Sequence, residues 1–292
     1  MGGKASLPSQ KGKTFVVTGA NSGIGFITAQ ELGKAEATVV VCARDQKKGD
    51  EAVDKLKKAV PQGQFETGLV DLSSLASVKA FAETFTSQNR PIDVLINNAG
   101  VMNIPKRELS ADGFEMQLAT NCLGHFALTL RLIPSLRLSK QPRVVNVSSI
   151  KAQGGIPREG EIEFVRDPAT YSDEATYAES KMLNLLFNNE LGRRCSDILC
   201  IGAHPGVCST NLFRHKYGWA TFMMQSPATG AQSPLKAALD PEVKTGDYFG
   251  PEGWYGGPKS LTQPQCCLNQ DAAKRYWEAM EKATGVSLPA TK

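Results

Sequence analysis

The stretch Thr18-Gly19-Ala20-Asn21-Ser22-Gly23-Ile24-Gly25 joins a short apolar run at residues 14–17 to a helix-patterned segment reaching about residue 34. Glycines at a strand-to-helix junction bring the backbone close to a bound group, and the helix start faces that group with unpaired N–H donors. The arrangement suits a pyrophosphate. Gly19, Gly23 and Gly25 are spaced G-x-x-x-G-x-G rather than G-x-G-x-x-G. Asn21, Ser22 and Ile24 complete the turn as candidate contacts. Because such a turn needs a strand before it and a helix after it, it restricts the chain to an α/β plan.

The rest of the chain repeats that unit. Strand patterns at 14–17, 38–42, 65–70, 92–96, 143–147 and 198–203 alternate with helix patterns at 46–59, 73–88, 112–138 and around Tyr177. Pro134 is expected to end or kink the helix at 112–138. The alternation implies a parallel sheet with helices on both faces. Residues 207–265 are rich in Gly, Pro and aromatic residues, with a helix pattern at 228–239 and a last strand expected at 248–249. Loops of that length in a compact domain usually serve as functional lids. A final helix is expected at 271–284. Residues 1–12 read as a flexible leader and 13–292 as a single domain for dinucleotide binding and catalysis.

Composition removes several function classes. The 33 Lys and Arg are interspersed with 29 Asp and Glu, for a net charge of +4. No basic stripe argues for nucleic acid. No apolar run approaches the ~20 residues that span a bilayer, and the N-terminus lacks the apolar core of a secretory signal. The seven cysteines include no C-x-x-C and read as reduced thiols in a cytoplasmic protein. His125, His204 and His215 have no ligand spacing, so no metal is expected. Met1-Gly2-Gly3-Lys4-Ala5-Ser6 fits the N-myristoylation pattern through Gly2, with an ordinary leader as the simpler reading. Acylation there would give peripheral membrane contact.

Two further features bear on chemistry. The second strand ends Cys42-Ala43-Arg44-Asp45, so the usual acidic position holds Ala43, and Arg44 offers a guanidinium suited to a 2′-phosphate. This favours NADP(H), although a solvent pair between Arg44 and Asp45 is the alternative and the glycine turn carries no basic residue to help. Tyr177 and Lys181, four residues apart in a helix pattern, project from one face. A phenol titrates near pH ~10, and a neighbouring ammonium is expected to bring it toward the working range.

Together these residues resemble the short-chain dehydrogenase/reductase family over nearly the whole chain. The matches, in the family's order, are the glycine turn, Asn97-Asn98-Ala99-Gly100, Asn121 with Gly124 and Phe126, Ser148-Ser149, Tyr177 with Lys181, and Pro205-Gly206. The resemblance implies a single Rossmann-type doubly wound parallel sheet. It further implies an NADP(H)-dependent oxidoreductase moving hydride between the nicotinamide and a carbonyl or alcohol substrate. Ser149 looks like the serine that hydrogen-bonds the substrate oxygen, with Ser148 as the alternative. Tyr177 looks like the acid/base, and Lys181 like the residue that lowers its pKa and holds the nicotinamide ribose. Asn121 matches the asparagine that holds a water for that lysine. Asp71 and Leu72 resemble contacts to adenine, and Asn98, Ala99 and Gly100 contacts to its ribose side. Pro205, Gly206, Val207 and Thr210 resemble the nicotinamide side. Homo-oligomers are common in the family.

Ser149 and Tyr177 lie 28 residues apart, about twice the spacing of the simplest members, so residues 153–176 are expected to loop out before the helix. Longer inserts here, together with Cys-Ala-Arg-Asp and Ala203-His204-Pro205-Gly206, look like the retinol-dehydrogenase-like branch. Phe213, Tyr217, Trp219, Phe222, Met223 and Met224 read as a lipophilic lid, with an ordinary packed loop-and-helix segment or a partner surface as the alternatives; a lid would suit retinoid-, steroid- or fatty-aldehyde-like substrates. The competing classes are a nucleotide sensor without turnover, which would have no need of an acid/base set, and epimerase or dehydratase chemistry.

Overall fold

The computed structural model describes residues 7–159, 163–209 and 224–289. Strands β1 (Thr14–Thr18), β2 (Thr38–Ala43), β3 (Gln64–Leu69), β4 (Val94–Asn97), β5 (Arg143–Val147), β6 (Leu199–Ala203), β7 (Tyr248–Gly250) and β8 (Lys259–Ser260) form one sheet. Its order is β3-β2-β1-β4-β5-β6-β7-β8, parallel except for the antiparallel pair β7–β8. This is a Rossmann-type doubly wound sheet with helices on both faces.

Period-two alternation sorts the strand side chains between two cores. Val16, Val40, Val144 and Cys200 face one core, while Phe15, Val17, Val39, Val41, Val145 and Ile201 face the other. The first core is closed by α3 (Leu75–Ser87), α5 (Gly124–Leu136), α6 (Asp173–Arg194) and α9 (Gln270–Thr284), and the second by α1 (Gly23–Lys34), α2 (Gln46–Ala59) and α8 (Gln232–Leu239). Strands buried on both faces lose the polar alternation of a half-exposed sheet, hence runs such as Thr-Val-Val-Val-Cys-Ala in β2.

The helix expected at 112–138 is interrupted. A short turn, α4 (Met116–Leu118), passes into a π-helical turn at Ala119–Leu123 before α5 begins. A β-carbon on Gly124 would collide with the carbonyl oxygen of Leu72, so glycine lets α5 start hard against the segment after β3. Pro134 lies inside α5, which ends two residues later at Leu136. The helix pattern at 228–239 is likewise split, into α7 (Pro227–Gly230) and α8.

The insert before α6 is docked rather than looped free. Phe164 is buried against Phe114 in an edge-on contact, and its carbonyl accepts from Glu115 N at 2.7 Å. Glu179 on α6 pairs with Arg166 and, at 3.3 Å, with Arg158. Arg158 N donates to the Tyr276 hydroxyl on α9 at 3.0 Å. Burial of one aromatic ring and pairing of one buried carboxylate hold the segment down.

Trp277 on α9 is fully buried. Its ring centroid is 5.0 Å from Phe126 and 5.9 Å from Phe187, and the Arg194 guanidinium lies over it at 4.8 Å. Its indole N–H has no hydrogen-bond partner among the described residues. Trp277→Ala is expected to cost about 3–5 kcal/mol, and Trp277→Phe roughly half that or less, because no hydrogen bond is lost. Urea midpoints of the two variants check the ranking.

His125 and His204 are both buried, and burial pushes each down to about 4. Unfolded, they take up protons near pH ~6.5. Between those values the unfolded chain holds more protons than the folded one, so acid favours unfolding. Stability is expected to be fully present above pH ~6.5 and to fall as pH drops toward 4, by on the order of 2–3 kcal/mol per histidine. Denaturant midpoints measured from pH 7 to 4.5 test this.

Candidate active site and cofactor cradle

The described candidate site residues lie at or beside the carboxyl ends of the strands. Between β1 and β4 the strand order reverses direction, which is the usual binding crevice of open α/β sheets. Gly19 and Gly23 take φ of 65° and 58°, in the left-handed region. A β-carbon on Gly19 would lie 2.9 Å from Ala99 Cα, and one on Gly25 would lie 2.5 Å from Asn98 Nδ2 and 2.6 Å from Gly19 O. The turn is therefore pressed against the loop after β4. Ser22 makes no side-chain cap bond to α1, and the first turn of α1 holds no acidic residue. Asn21, Ser22, Gly23 and Ile24 are half-buried. A glycine cradle ending in an uncapped helix start fits the pyrophosphate of a dinucleotide.

Around the cradle, Asn98 Nδ2 donates to Thr18 O at 2.8 Å, and the backbone N–H groups of Asn98 and Ala99 donate to Thr18 Oγ1 at 2.9 and 3.0 Å. Asp71 accepts from Ser73 N and Ser73 Oγ at 2.9 and 2.7 Å, which fixes the turn after β3; Leu72 beside it is buried. Arg44 is exposed immediately after β2 and makes no hydrogen bond or ion pair among the described residues. Asp45, its proposed solvent partner, instead caps α2 by accepting from Lys48 N at 2.9 Å. The guanidinium is left available.

Helix α6 begins where Ser172 accepts from Ala175 N, with Asp173 and Glu174 in the first turn and Arg193 and Arg194 in the last, each favourable to the helix dipole. Tyr177 and Lys181 follow one turn apart, both buried. Lys181 Nζ donates to Val147 O at 3.1 Å and lies 5.9 Å from the Tyr177 ring centroid. A β-carbon on Gly100 would touch Lys181 Nζ and Asn121 Oδ1, each at 3.3 Å, so these two groups border the same patch of backbone. Asn121 sits in the π-helical turn. Its Oδ1 accepts from Val101 N at 2.8 Å, and its Nδ2 donates to Val101 O and Ser180 Oγ, both at 2.9 Å. Ser148 and Ser149 separate cleanly. Ser148 is buried and donates to Lys181 O at 2.7 Å, whereas Ser149 is half-buried, accepts a Lys151 N–H at 3.2 Å and shares a hydrogen bond with the Tyr177 hydroxyl.

The electrostatics differ from the expectation that Lys181 draws the phenol down. Burial pushes Tyr177 up to about 12, opposed by its hydrogen bond with Ser149. Burial also pushes Lys181 down to about 8, opposed by Cys122. Desolvation disfavours both charged forms, and at this separation the ammonium does not outweigh it. At neutral pH Tyr177 is thus a protonated phenol.

After β6, Gly206 takes φ of 71° and its N–H donates to His204 Nδ1 at 3.3 Å. Val207 N donates to Trp254 O at 2.9 Å, tying this segment to a loop whose Trp254 and Tyr255 are 60% and 52% exposed. Thr210, Phe213, Tyr217, Trp219, Phe222, Met223, His215 and Gly2 lie outside the described residues. Sequence reasoning passed over Thr18, which supports the loop of Asn98 and Ala99. Its position directly before the glycine turn was the available signal.

No helix among the described residues is long and apolar enough to cross a membrane, and all seven cysteines are free thiols. Comparison with known proteins gives concordant results. The sequence profile of the short chain dehydrogenases matches residues 13–161, from β1 into the insert. Retinol dehydrogenase 14 of Mus musculus is 35% identical over 303 residues, covering 94% of this chain and 86% of its own. The chloroplastic short-chain dehydrogenase TIC 32 B of Brassica napus is 37% identical, covering 81% and 79%. A crystal structure of an uncharacterized protein from Mycobacterium Paratuberculosis superposes with a TM-score of 0.81 at 36% identity over 97% of both chains. The Pseudomonas aeruginosa RhlG/NADP active-site complex has the same fold, with a TM-score of 0.68 at 22% identity over 86% of this chain and 98% of that one. Cradle, strand order, profile and relatives agree: the chain belongs to the short-chain dehydrogenase/reductase family, oxidoreductases that work with a nicotinamide cofactor.

Proposed function

We propose that this enzyme moves hydride between NADP(H) and the carbonyl or alcohol carbon of a lipophilic small molecule, of retinoid, steroid or fatty-aldehyde type. The observation that carries the reading is the placement of Ser149, Tyr177, Lys181 and Asn121 at the strand ends beside the glycine cradle. The free guanidinium of Arg44 after β2 supports a 2′-phosphate, and the RhlG structure carries NADP in its active site. Names among the relatives favour the retinol-dehydrogenase-like branch. Exposed Trp254 and Tyr255 beside Val207 are consistent with an apolar mouth, and residues 207–265 would form the lid.

The bound nicotinamide supplies the carbon that gives or takes hydride. The rest falls to side chains of this chain. In the direction of reduction, Tyr177 Oη, kept protonated at neutral pH by burial, passes its proton to the substrate oxygen, while Ser149 Oγ donates a hydrogen bond to the same atom as charge grows there. Lys181 Nζ would hold the cofactor ribose, and an anionic group bound nearby would raise its pKa from about 8. Both Nδ2 hydrogens of Asn121 are committed and its main-chain oxygen lies 2.9 Å from His125 Nδ1, so a water held by this residue would use the second lone pair of that oxygen. Asp71, Leu72, Asn98, Ala99 and Gly100 would line the adenosine side, and Pro205, Gly206, Val207 and Thr210 the nicotinamide side.

Tyr177→Phe should lower kcat for NADPH-dependent reduction of apolar aldehydes by about 10²–10⁴-fold while NADPH affinity stays close to wild type. Retained turnover would remove the proton-donor role, and tight nucleotide binding without turnover on a broad aldehyde and ketone panel would favour a sensor. Arg44→Ala should weaken NADPH binding by about tenfold or more, since a charge-assisted contact is lost, and leave NADH binding unchanged. Equal effects on the two nucleotides would remove the 2′-phosphate assignment; fluorescence titration reads both.

A further inference from the structure

His125 lies one helical turn after Asn121, near the start of α5, and is 1% exposed. Its Nδ1 is 2.9 Å from the main-chain oxygen of Asn121, and its Nε2 is 2.8 Å from Thr18 Oγ1. A carbonyl oxygen can only accept, so Nδ1 carries a hydrogen. Thr18 Oγ1 has two lone pairs, and both are engaged by the N–H groups of Asn98 and Ala99. Its own hydrogen must be donated. The imidazole Nε2 is the nearer acceptor, Ile96 O being 3.4 Å away. One set of directions therefore satisfies every group: Asn121 C=O accepts from His125, His125 accepts from Thr18, and Thr18 accepts from Asn98 and Ala99. Thr18, Asn121 and His125 are all shut off from solvent.

We propose that His125 is a positioning residue that couples the turn carrying Asn121 to the Asn98–Ala99 loop of the cofactor cradle, by holding the Thr18 hydroxyl in one orientation. The inference rests on the cofactor reading of the glycine turn. Three separate elements meet in this relay: the end of β1, the loop after β4, and the junction of the π-helical turn with α5. Gly19 and Gly25 pack directly on Asn98 and Ala99, so any loosening of that loop reaches the cradle. The opposite end reaches Val101 and Ser180 through the Asn121 side chain, and Ser180 is the neighbour of Lys181. A side chain at 125 that merely fills space would leave the Thr18 hydroxyl hydrogen only the Ile96 carbonyl, 3.4 Å away, and the two amides with a less firmly oriented partner.

The test is a double-mutant cycle on nucleotide affinity. Thr18→Val removes the hydroxyl, and His125→Asn keeps a donor near the Asn121 carbonyl but falls short of Thr18. NADPH Kd is titrated for wild type, both single variants and the double variant, with thermal midpoints recorded alongside and Thr18→Ser as the conservative control. Each single variant should weaken binding by about tenfold, the double variant should be no weaker than the worse single, and Thr18→Ser should recover most of the loss. Losses that multiply in the double variant, or lowered thermal midpoints with unchanged Kd in all of them, overturn the inference while leaving the cofactor reading intact. Wild-type protein that binds neither NADPH nor NADH overturns the cofactor reading and this inference with it.

Discussion

The contact between the glycine turn and the loop after β4 leaves no room for a side chain. With Gly19 against Ala99 and Gly25 against Asn98, the first βα unit can seat only if the backbone of β4 emerges at one height beside β1. Thr18 secures that height, because one hydroxyl accepts two successive amides of the neighbouring strand's exit. The cradle is thus a tertiary object made by two strands far apart in sequence, and the helix start of α1 gains its use from what stands opposite it.

Burial governs the chemistry at the other end of the site. Tyr177 and Lys181 stand on a helix covered almost all round, by the sheet on one side and by α9 and the docked insert on the other. Removing water raises the phenol and lowers the ammonium, yet at neutral pH Tyr177 stays protonated and Lys181 still mostly carries its charge, so the resting pair is phenol and ammonium rather than phenolate and ammonium. Under the proposed function, a phenol protonated at neutral pH suits carbonyl reduction.

The covering elements also explain why the insert is folded. Glu179 on α6 would be a costly buried carboxylate without Arg158 and Arg166, both from the insert. Tyr276 of α9 adds a hydroxyl that accepts from the Arg158 backbone. Insert and C-terminal helix therefore buttress α6 jointly, through one carboxylate and one phenol.

Much of this was legible in the chain itself. Alternating apolar runs and helix patterns determined the parallel sheet, because strands buried on both faces and their crossover helices leave distinct periods in the residues. The glycine spacing and the Tyr177–Lys181 pair determined what kind of cradle and helix face to look for, since φ above zero and four-residue spacing are local properties. Strand ends were placed within a residue or two, while β8, the split of the 228–239 helix and the π-helical turn escaped notice because hydrogen-bond partners outside each segment decide them. The same holds for electrostatics. Sequence can set a lysine near a tyrosine, but only the packed structure decides how much water surrounds them, and here desolvation outweighs the charge. Likewise Ser148 and Ser149 are equivalent neighbours on paper. The fold commits one hydroxyl to Lys181 O and leaves the other facing the site, because successive residues leaving a strand point to opposite sides.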